Sequence, residues 1–297
     1  TNVNYDPKAL DLPGLQLLGA RQERFLKAWG EDWTDAEFKV VLSQTLFSYA
    51  THLSHGNRLL ADLDSNGWPQ SGRQRAVDLM RRCFAFHISG DQHLGCVVQY
   101  GLDNWRDSCV AFCVPSIVNY YPRQWLPLDP PVRAVDGPLP HLGDYTEGLG
   151  NKLTMFTYAN PTAFPAPLTN LAASASGHGL VRFNKATRRI TMECWPRGVD
   201  VTRPNAKQYP GWPITIDQLD NFGRKPVAWL PEVEAPAGIA TPVVQVVDER
   251  SGEVVYTLRA KTPRFQPWVF AEGHYTVRIG EPPHRMKVLK AQRAVTP

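Results

Sequence analysis

Apolar and polar positions alternate in two distinct rhythms along the first hundred residues. In LLGARQERFLKAWGEDW, Leu18, Phe25, Leu26 and Trp29 fall near helical spacing, with Arg, Lys and Glu on the other side, which predicts an amphipathic helix. FKVVLSQTLF follows as a compact apolar run rich in β-branched residues, suited to a strand covered on both faces. SGRQRAVDLMRRCFAFHISGDQH repeats that order. Ser71 is placed to cap a helix that turns Ala76, Leu79, Met80 and Cys83 inward, and AFHIS then runs as a short buried strand.

VVQYGL and VAFCVPSI read as two further strands, and WLPLDPPVRAVDGPLPHLGDYTEG, rich in Pro and Gly and without periodicity, as an extended surface excursion. GLVRFNKATRRITMECW holds two alternating runs across a turn, a predicted hairpin that could close the edge of the same sheet. Helix and strand in alternation argue an α/β (α+β) layered architecture for residues 1–230. From Pro231 the rhythm changes. PEVEAPAGIATP is linker-like, VVQVVDERSGEVVYTLRA is two strands around Glu-Arg-Ser-Gly, and PWVFAEGHYTVRIGEP adds two more, so residues 231–297 read as a small all-β sandwich. No internal repeat joins the two parts.

Composition narrows this picture little. A chain of 297 residues that is 43% hydrophobic can bury a large core and by length makes about two domains. Its 32 Lys and Arg against 28 Asp and Glu are dispersed, so no basic run is present to follow a nucleic-acid backbone. No apolar stretch approaches the roughly 20 residues of a membrane span, and the first residues, TNVNYDPKALDLPG, have no signal-peptide pattern. Cys83, Cys96, Cys109, Cys113 and Cys194 are odd in number and sit in apolar segments, which favours free buried thiols over a disulfide framework.

The candidate chemistry gathers at ISGDQHLG, at the carboxyl end of the AFHIS strand, where open α/β sheets collect ligands. Asp91 and His93 combine a hard oxygen donor with an imidazole, a pairing suited to a metal ion. Taken alone, the pair reads better as a turn-capping Asp and a satisfied, partly buried histidine than as metal ligands. The tetrapeptide GDQH, preceded by LLGARQERFLKAW, FKVVLSQT and SNGWPQSGRQRAVDLM and followed by VAFCVPSI, GHGLVRFN and RRITMECW, resembles the PhoD-like (alkaline phosphatase D) branch of the calcineurin-like metallophosphoesterases over most of residues 15 to 215.

That resemblance implies a calcineurin-like two-sheet sandwich of which this chain supplies the C-terminal half, followed by a β-sandwich of carboxypeptidase-regulatory or fibronectin-like type. It implies two divalent or trivalent cations, Fe, Ca, Mn or Zn, that activate water against a phosphomonoester or phosphodiester, with Asp91 and His93 as ligands and catalytic groups. It also implies export to the periplasm or beyond. Family order places the remaining ligands before Thr1, on a preceding segment or a separate chain. The alternative from another class is a non-catalytic binding or structural protein on a hydrolase-derived scaffold.

Asp62, Asp64, Asn66 and Trp68 fall on the family's substrate-side loop, although ADLDSNGW reads equally as an Asx-rich turn without the Gly and distant Glu of an EF-hand. Arg73 and Arg123 could grip a phosphate through their guanidinium forks, although such residues more often pair with carboxylates or stack on neighbouring aromatics. His178 in SGHGL matches a His-Gly pair that the family carries near its site. His52 and His55 read as ordinary surface histidines. The nine Trp residues are scattered, which favours packing over a sugar platform. Gly-x-Ser-x-Gly elbows and Gly-rich phosphate loops are absent, and Cys113 has no nearby His to activate it.

Overall fold

The structure, a computed structural model, describes residues 6–52, 65–119, 121–162, 170 and 173–296. After a single turn, α1 (Pro7–Leu10), the predicted amphipathic helix forms as α2 (Ala20–Glu31). The second predicted helix is α3 (Gln70–Arg81), but its N-cap is Pro69. Ser71 lies inside the first turn, where its backbone N–H and its hydroxyl each donate to the Asp11 carboxylate at 2.8 Å. The capping expectation at Ser71 is thus corrected: a distant carboxylate satisfies the early N–H that a local side chain would otherwise take.

Six strands form the central sheet: β1 (Val40–Leu42), β2 (Phe86–Ser89), β3 (Gly95–Tyr100), β4 (Val110–Cys113), β5 (Gly143–Thr146) and β6 (Lys152–Ala159). Their order is β1-β2-β4-β3-β6-β5, with β1, β2 and β4 parallel and the rest antiparallel. β1 is shorter and more exposed than its apolar run predicts. It lies at the end of the sheet and its last residue, Leu42, is 74% exposed. β5 and β6 lie in and just after the stretch expected to be an irregular excursion.

Period-two alternation on the central strands feeds two separate cores. Cys96 and Val98 of β3 and Ala111 and Cys113 of β4 face Leu26, Ala76, Val77 and Met80 from the helices. Val97, Val110 and Phe112 face Ile190, Met192 and Cys194. The latter belong to β8 (Arg189–Pro196), which with β7 (Gly177–Asn184) and β9 (Ile214–Asp217) forms a three-stranded antiparallel sheet of its own. The hairpin therefore covers a face of the main sheet and does not extend its edge, because Phe183, Ile190 and Met192 must be buried and only the sheet face offers that area. All five cysteines are free and buried, as expected.

The C-terminal portion is all-β. β12 (Val243–Asp248), β13 (Val254–Arg259), β16 (His274–Glu281) and β17 (Arg285–Arg293) make an antiparallel sheet in the order β13-β12-β16-β17. Two short ribbons pair β10 (Ala228–Trp229) with β15 (Trp268–Val269) and β11 (Val233–Glu234) with β14 (Arg264–Phe265). β10 starts before Pro231, so strand pairing reaches back across that residue. The architecture as a whole is α+β and mostly β.

The two portions are bound together by packing. Phe84 follows α3 at φ 53° and is 1% exposed, with ring contacts to Phe222 at 5.2 Å, Tyr256 at 5.7 Å and Trp268 at 6.3 Å. Arg259 of β13 donates to Ala36 O and Trp33 O and holds Glu281 through both carboxylate oxygens at 2.7 and 2.9 Å. Truncation of Phe84 to Ala is expected to cost about 3–5 kcal/mol, as for other buried aromatics. Urea unfolding measures this directly, and a loss below about 1 kcal/mol would contradict a packed junction.

Candidate functional site

The carboxyl ends of the three parallel strands meet on one rim. Gly90 donates its N–H to Gln44 O beyond β1 at 3.1 Å, and Val114 beyond β4 donates to Ser89 O at 2.8 Å. Between them the chain turns through Gly90-Asp91-Gln92-His93. Asp91 has φ 65° and His93 has φ 53°, both in the left-handed region that disfavours side chains with a Cβ. Two such residues so close together are strained and must be held by their surroundings.

Gln92, 2% exposed, is the anchor. Its side-chain N–H donates to Thr45 Oγ1 at 2.9 Å and its carbonyl accepts from Ala50 N–H at 3.4 Å, while its backbone N–H closes a tight turn onto Gly90 O at 2.8 Å. With the middle residue locked inward, Asp91 beside it is exposed and His93 is half-buried. Asp91 is exposed and its carboxylate forms no hydrogen bond or ion pair with a described residue.

His93 is held at three points. Its carbonyl accepts from Asn119 Nδ2 at 3.1 Å and from Arg123 N–H at 3.4 Å, and its ring Nδ1 lies 2.6 Å from Tyr121 O. A backbone carbonyl can only accept, so Nδ1 carries the proton and Nε2 is the open nitrogen. An imidazole oriented by a carbonyl at one nitrogen and free at the other matches the arrangement of metal-ligating histidines.

Behind the rim a chain of side chains runs through the core. Phe47 N–H donates to Tyr100 OH at 3.0 Å, Tyr100 OH lies 2.8 Å from His87 Nδ1, and His87 Nε2 lies 2.8 Å from Ser43 Oγ. Ser43 donates onward to Thr45 O at 2.7 Å, so its oxygen accepts from His87. The imidazole is therefore neutral with its proton on Nε2 and its Nδ1 accepting from Tyr100. Burial holds the His87 pKa down to about 3. Asn66 adds its amide to Ser43 Oγ at 3.3 Å and to Thr45 O at 3.2 Å. The loop after β1 that anchors Gln92 is thus itself pinned from below.

Of the candidates named from the sequence, Asp91 and His93 share one turn, and Arg123 joins it through its backbone N–H to His93 O. His178 joins their rim through its neighbour, since Gly177 N–H donates to Ser116 O just beyond β4. Asn66 is 9% exposed and its amide is spent inside, which places it beneath the site and not at a cleft mouth. Trp68 is half-buried. Asp62, Asp64 and His55 lie outside the described residues.

Arg73 requires correction. It is 1% exposed, and its guanidinium donates to Phe47 O at 2.9 Å and Gly101 O at 2.7 Å above the Tyr100 ring. It is a core cation that closes loop ends, and no substrate in solvent can reach it. His52 also differs from expectation: it is buried, edge-on to Trp125 at 5.0 Å, and accepts from Leu126 N–H at 3.2 Å. Gln92, Thr45, Asn119 and Tyr121 were not marked in the sequence. The only available signal was position, since Gln92 lies between Asp91 and His93 and Asn119 and Tyr121 precede Arg123.

No protein-family model, curated protein or solved structure gives a significant match to this chain. The site must therefore be read from its own geometry. Among the described residues no group of three or more His, Cys, Asp and Glu could hold a metal ion. Asp91 and His93 are two candidate donors on one turn, fewer than such a group requires.

The neutral state of His87 sets an acid limit on this arrangement. Its folded-state pKa lies near 3 against an ordinary 6.5. Between those values the unfolded chain binds the extra proton, so His87 makes stability rise with pH through this window and fall as pH drops toward 3. Glu147, buried and raised to about 7 by loss of hydration, acts oppositely between 4.5 and 7. The His87→Gln variant is expected to lose the His87 part of the slope. Urea midpoints of both proteins at several pH values between 4 and 7, roughly the histidine range, isolate it, and parallel profiles would contradict a neutral buried imidazole.

Proposed function

We propose that this chain carries part of the active site of a metal-dependent phosphoester hydrolase of the PhoD-like, calcineurin-like type, with Asp91 and His93 as its metal ligands. The observation that supports this reading best is the turn after β2. Asp91 and His93 hold left-handed backbone angles, Gln92 locks the residue between them inward, and the result is one uncommitted carboxylate and one uncommitted Nε2 at the carboxyl end of parallel strands. A structural turn has no need of that combination, because Gly or Asn would form it with less strain.

The remaining ligands would come from a preceding segment or a second chain. The sheet leaves room on the appropriate side: among the described residues no strand pairs with the outer edge of β1, and β1 runs parallel to β2 with its carboxyl end on the same rim. A strand added there in parallel would deliver its own carboxyl end beside Asp91. Bound cations would supply Lewis acidity, offsetting charge on the phosphoryl oxygens and acidifying water for attack at phosphorus.

The protein's own groups then have separable tasks. Tyr121 O fixes the tautomer of His93 so that Nε2 keeps its lone pair outward. Gln92 and Thr45 hold the direction of both ligands. Arg123, tied by its backbone to His93 O, is the predicted cation whose guanidinium would serve a phosphoryl group bound there.

The protein, purified with any chain that accompanies it, is expected to hydrolyse p-nitrophenyl phosphate or its diester in an EDTA-sensitive reaction. His93→Ala should lower kcat/KM by about 100-fold or more while leaving the fold intact by circular dichroism. Full activity in that variant would sink the proposal. Elemental analysis showing no stoichiometric Fe, Ca, Mn or Zn would favour a non-catalytic binding protein on this scaffold.

A further inference from the structure

A cleft lined by charged side chains lies at the opposite end of the central sheet. The β3–β4 connection forms one wall, at the amino end of β4, whereas Asp91 and His93 lie beyond the carboxyl end of β2. The cleft measures about 860 Å³, ample for a small organic ligand.

Its floor is an arrangement of two guanidinium groups on one carboxylate. Asp144 of β5 is fully buried. Arg106 Nε donates to its Oδ1 at 2.8 Å, and Arg133 donates to its Oδ2 through Nε at 2.8 Å, with Nη2 in ion-pair contact at 2.7 Å. Thr154 Oγ1 completes the carboxylate at 2.6 Å. A single negative charge thus faces two positive ones. Arg106 Nη2 is buried without a hydrogen-bond partner, a donor that still requires an acceptor. Arg106 itself holds φ 62°, so the backbone is strained in the position that aims this side chain.

The opposite wall adds two more cations. Arg224 and Lys225 are exposed and form no ion pair with a described residue. Their position is set by Gly223 at φ 64°, where a Cβ would lie 2.1 Å from Arg106 O, so only glycine lets this segment approach the β3–β4 loop so closely. The preceding turn is fastened to the sheet by Gln99 Nε2 to Asp220 O at 2.8 Å and by Val110 N–H to Asn221 Oδ1 at 3.1 Å. The other acid in the cleft wall, Asp107, is turned to the backbone N–H groups of Leu102, Asp103 and Asn104 and lies 3.9 Å from Arg81. Four cations therefore line the cleft against two acids, with Arg224 lying over the Phe270 ring at 4.5 Å.

We propose that this cleft binds a small, multiply charged anion of the polyphosphate class, with Arg106, Arg133, Arg224 and Lys225 as its cationic walls. Guanidinium forks favour phosphate oxygens in paired hydrogen bonds, and a cleft of this size with an excess of two positive charges suits several linked phosphates better than one. The site is independent of the chemistry proposed at Asp91 and His93.

Tripolyphosphate is the probe, titrated calorimetrically into the full chain at about 0.15 M salt, where long-range attraction is screened. One binding site is expected, with orthophosphate weaker. The double variant R224Q/K225Q, altered only at exposed positions, should bind about tenfold more weakly. R203Q, at an exposed arginine away from the cleft, and His93→Ala should bind as the parent does. Absence of tripolyphosphate binding, equal affinity in R224Q/K225Q and the parent, or loss in His93→Ala would each overturn the assignment.

Discussion

Covering both faces of the six-stranded sheet is the constraint on which the rest of the molecule depends. Once α2 and α3 occupy one face and β7–β9 the other, the central strands can present polar chemistry only at their ends. Side chains along β2, β3 and β4 are consequently buried almost without exception. The one imidazole among them, His87, survives there because each ring nitrogen has a partner and the ring stays neutral.

This enclosure explains why the two charged features of the molecule lie at opposite ends of the sheet. At one end, three parallel strands stop together and their connections must turn sharply, which concentrates left-handed residues at Asp91 and His93. At the other, the β3–β4 connection and β5 bring Arg106, Arg133 and Asp144 into one cluster. The two ends are linked mechanically through the core. Tyr100, the last residue of β3, holds His87 and Phe47 N–H on the path to Ser43, while its ring lies under the Arg73 guanidinium that bonds Gly101 O. A shift of the β3 end would therefore disturb the pins beneath the Gln92 anchor.

Much of this was legible in the residues. Helical spacing located α2 and α3 because their apolar stripes face a single layer. β2, β3, β4, β12 and β13 were visible as short apolar or alternating runs, and the β7–β8 hairpin by its turn. What periodicity could not supply was partnership. Nothing local distinguishes a hairpin that extends a sheet from one that lies across it, and β1 resembled a central strand although it ends the sheet with Leu42 exposed. Lys152–Ala159 went unmarked as β6 since the Pro-rich stretch before it obscured the strand onset.

The site was legible to the same extent and for the same reason. Asp91 and His93 could be marked by residue type and position, but the groups that make them useful are contributed by sequence neighbours of other strands. Thr45 and Tyr121 act through a hydroxyl and a backbone carbonyl, atoms that most residues possess and that no motif records. Arg73 shows the converse. A guanidinium near a supposed cleft loop suggested phosphate, yet the backbone carbonyls of Phe47 and Gly101 were the acceptors closer to hand. Residue type proposes a chemistry, whereas the partners available within hydrogen-bond reach decide whether the group is spent on the fold or left for a ligand. By that criterion Asn66 and the Nε and Nη1 of Arg73 belong to the fold, and the Asp91 carboxylate, His93 Nε2 and Arg106 Nη2 are among the groups the fold leaves uncommitted to a described residue.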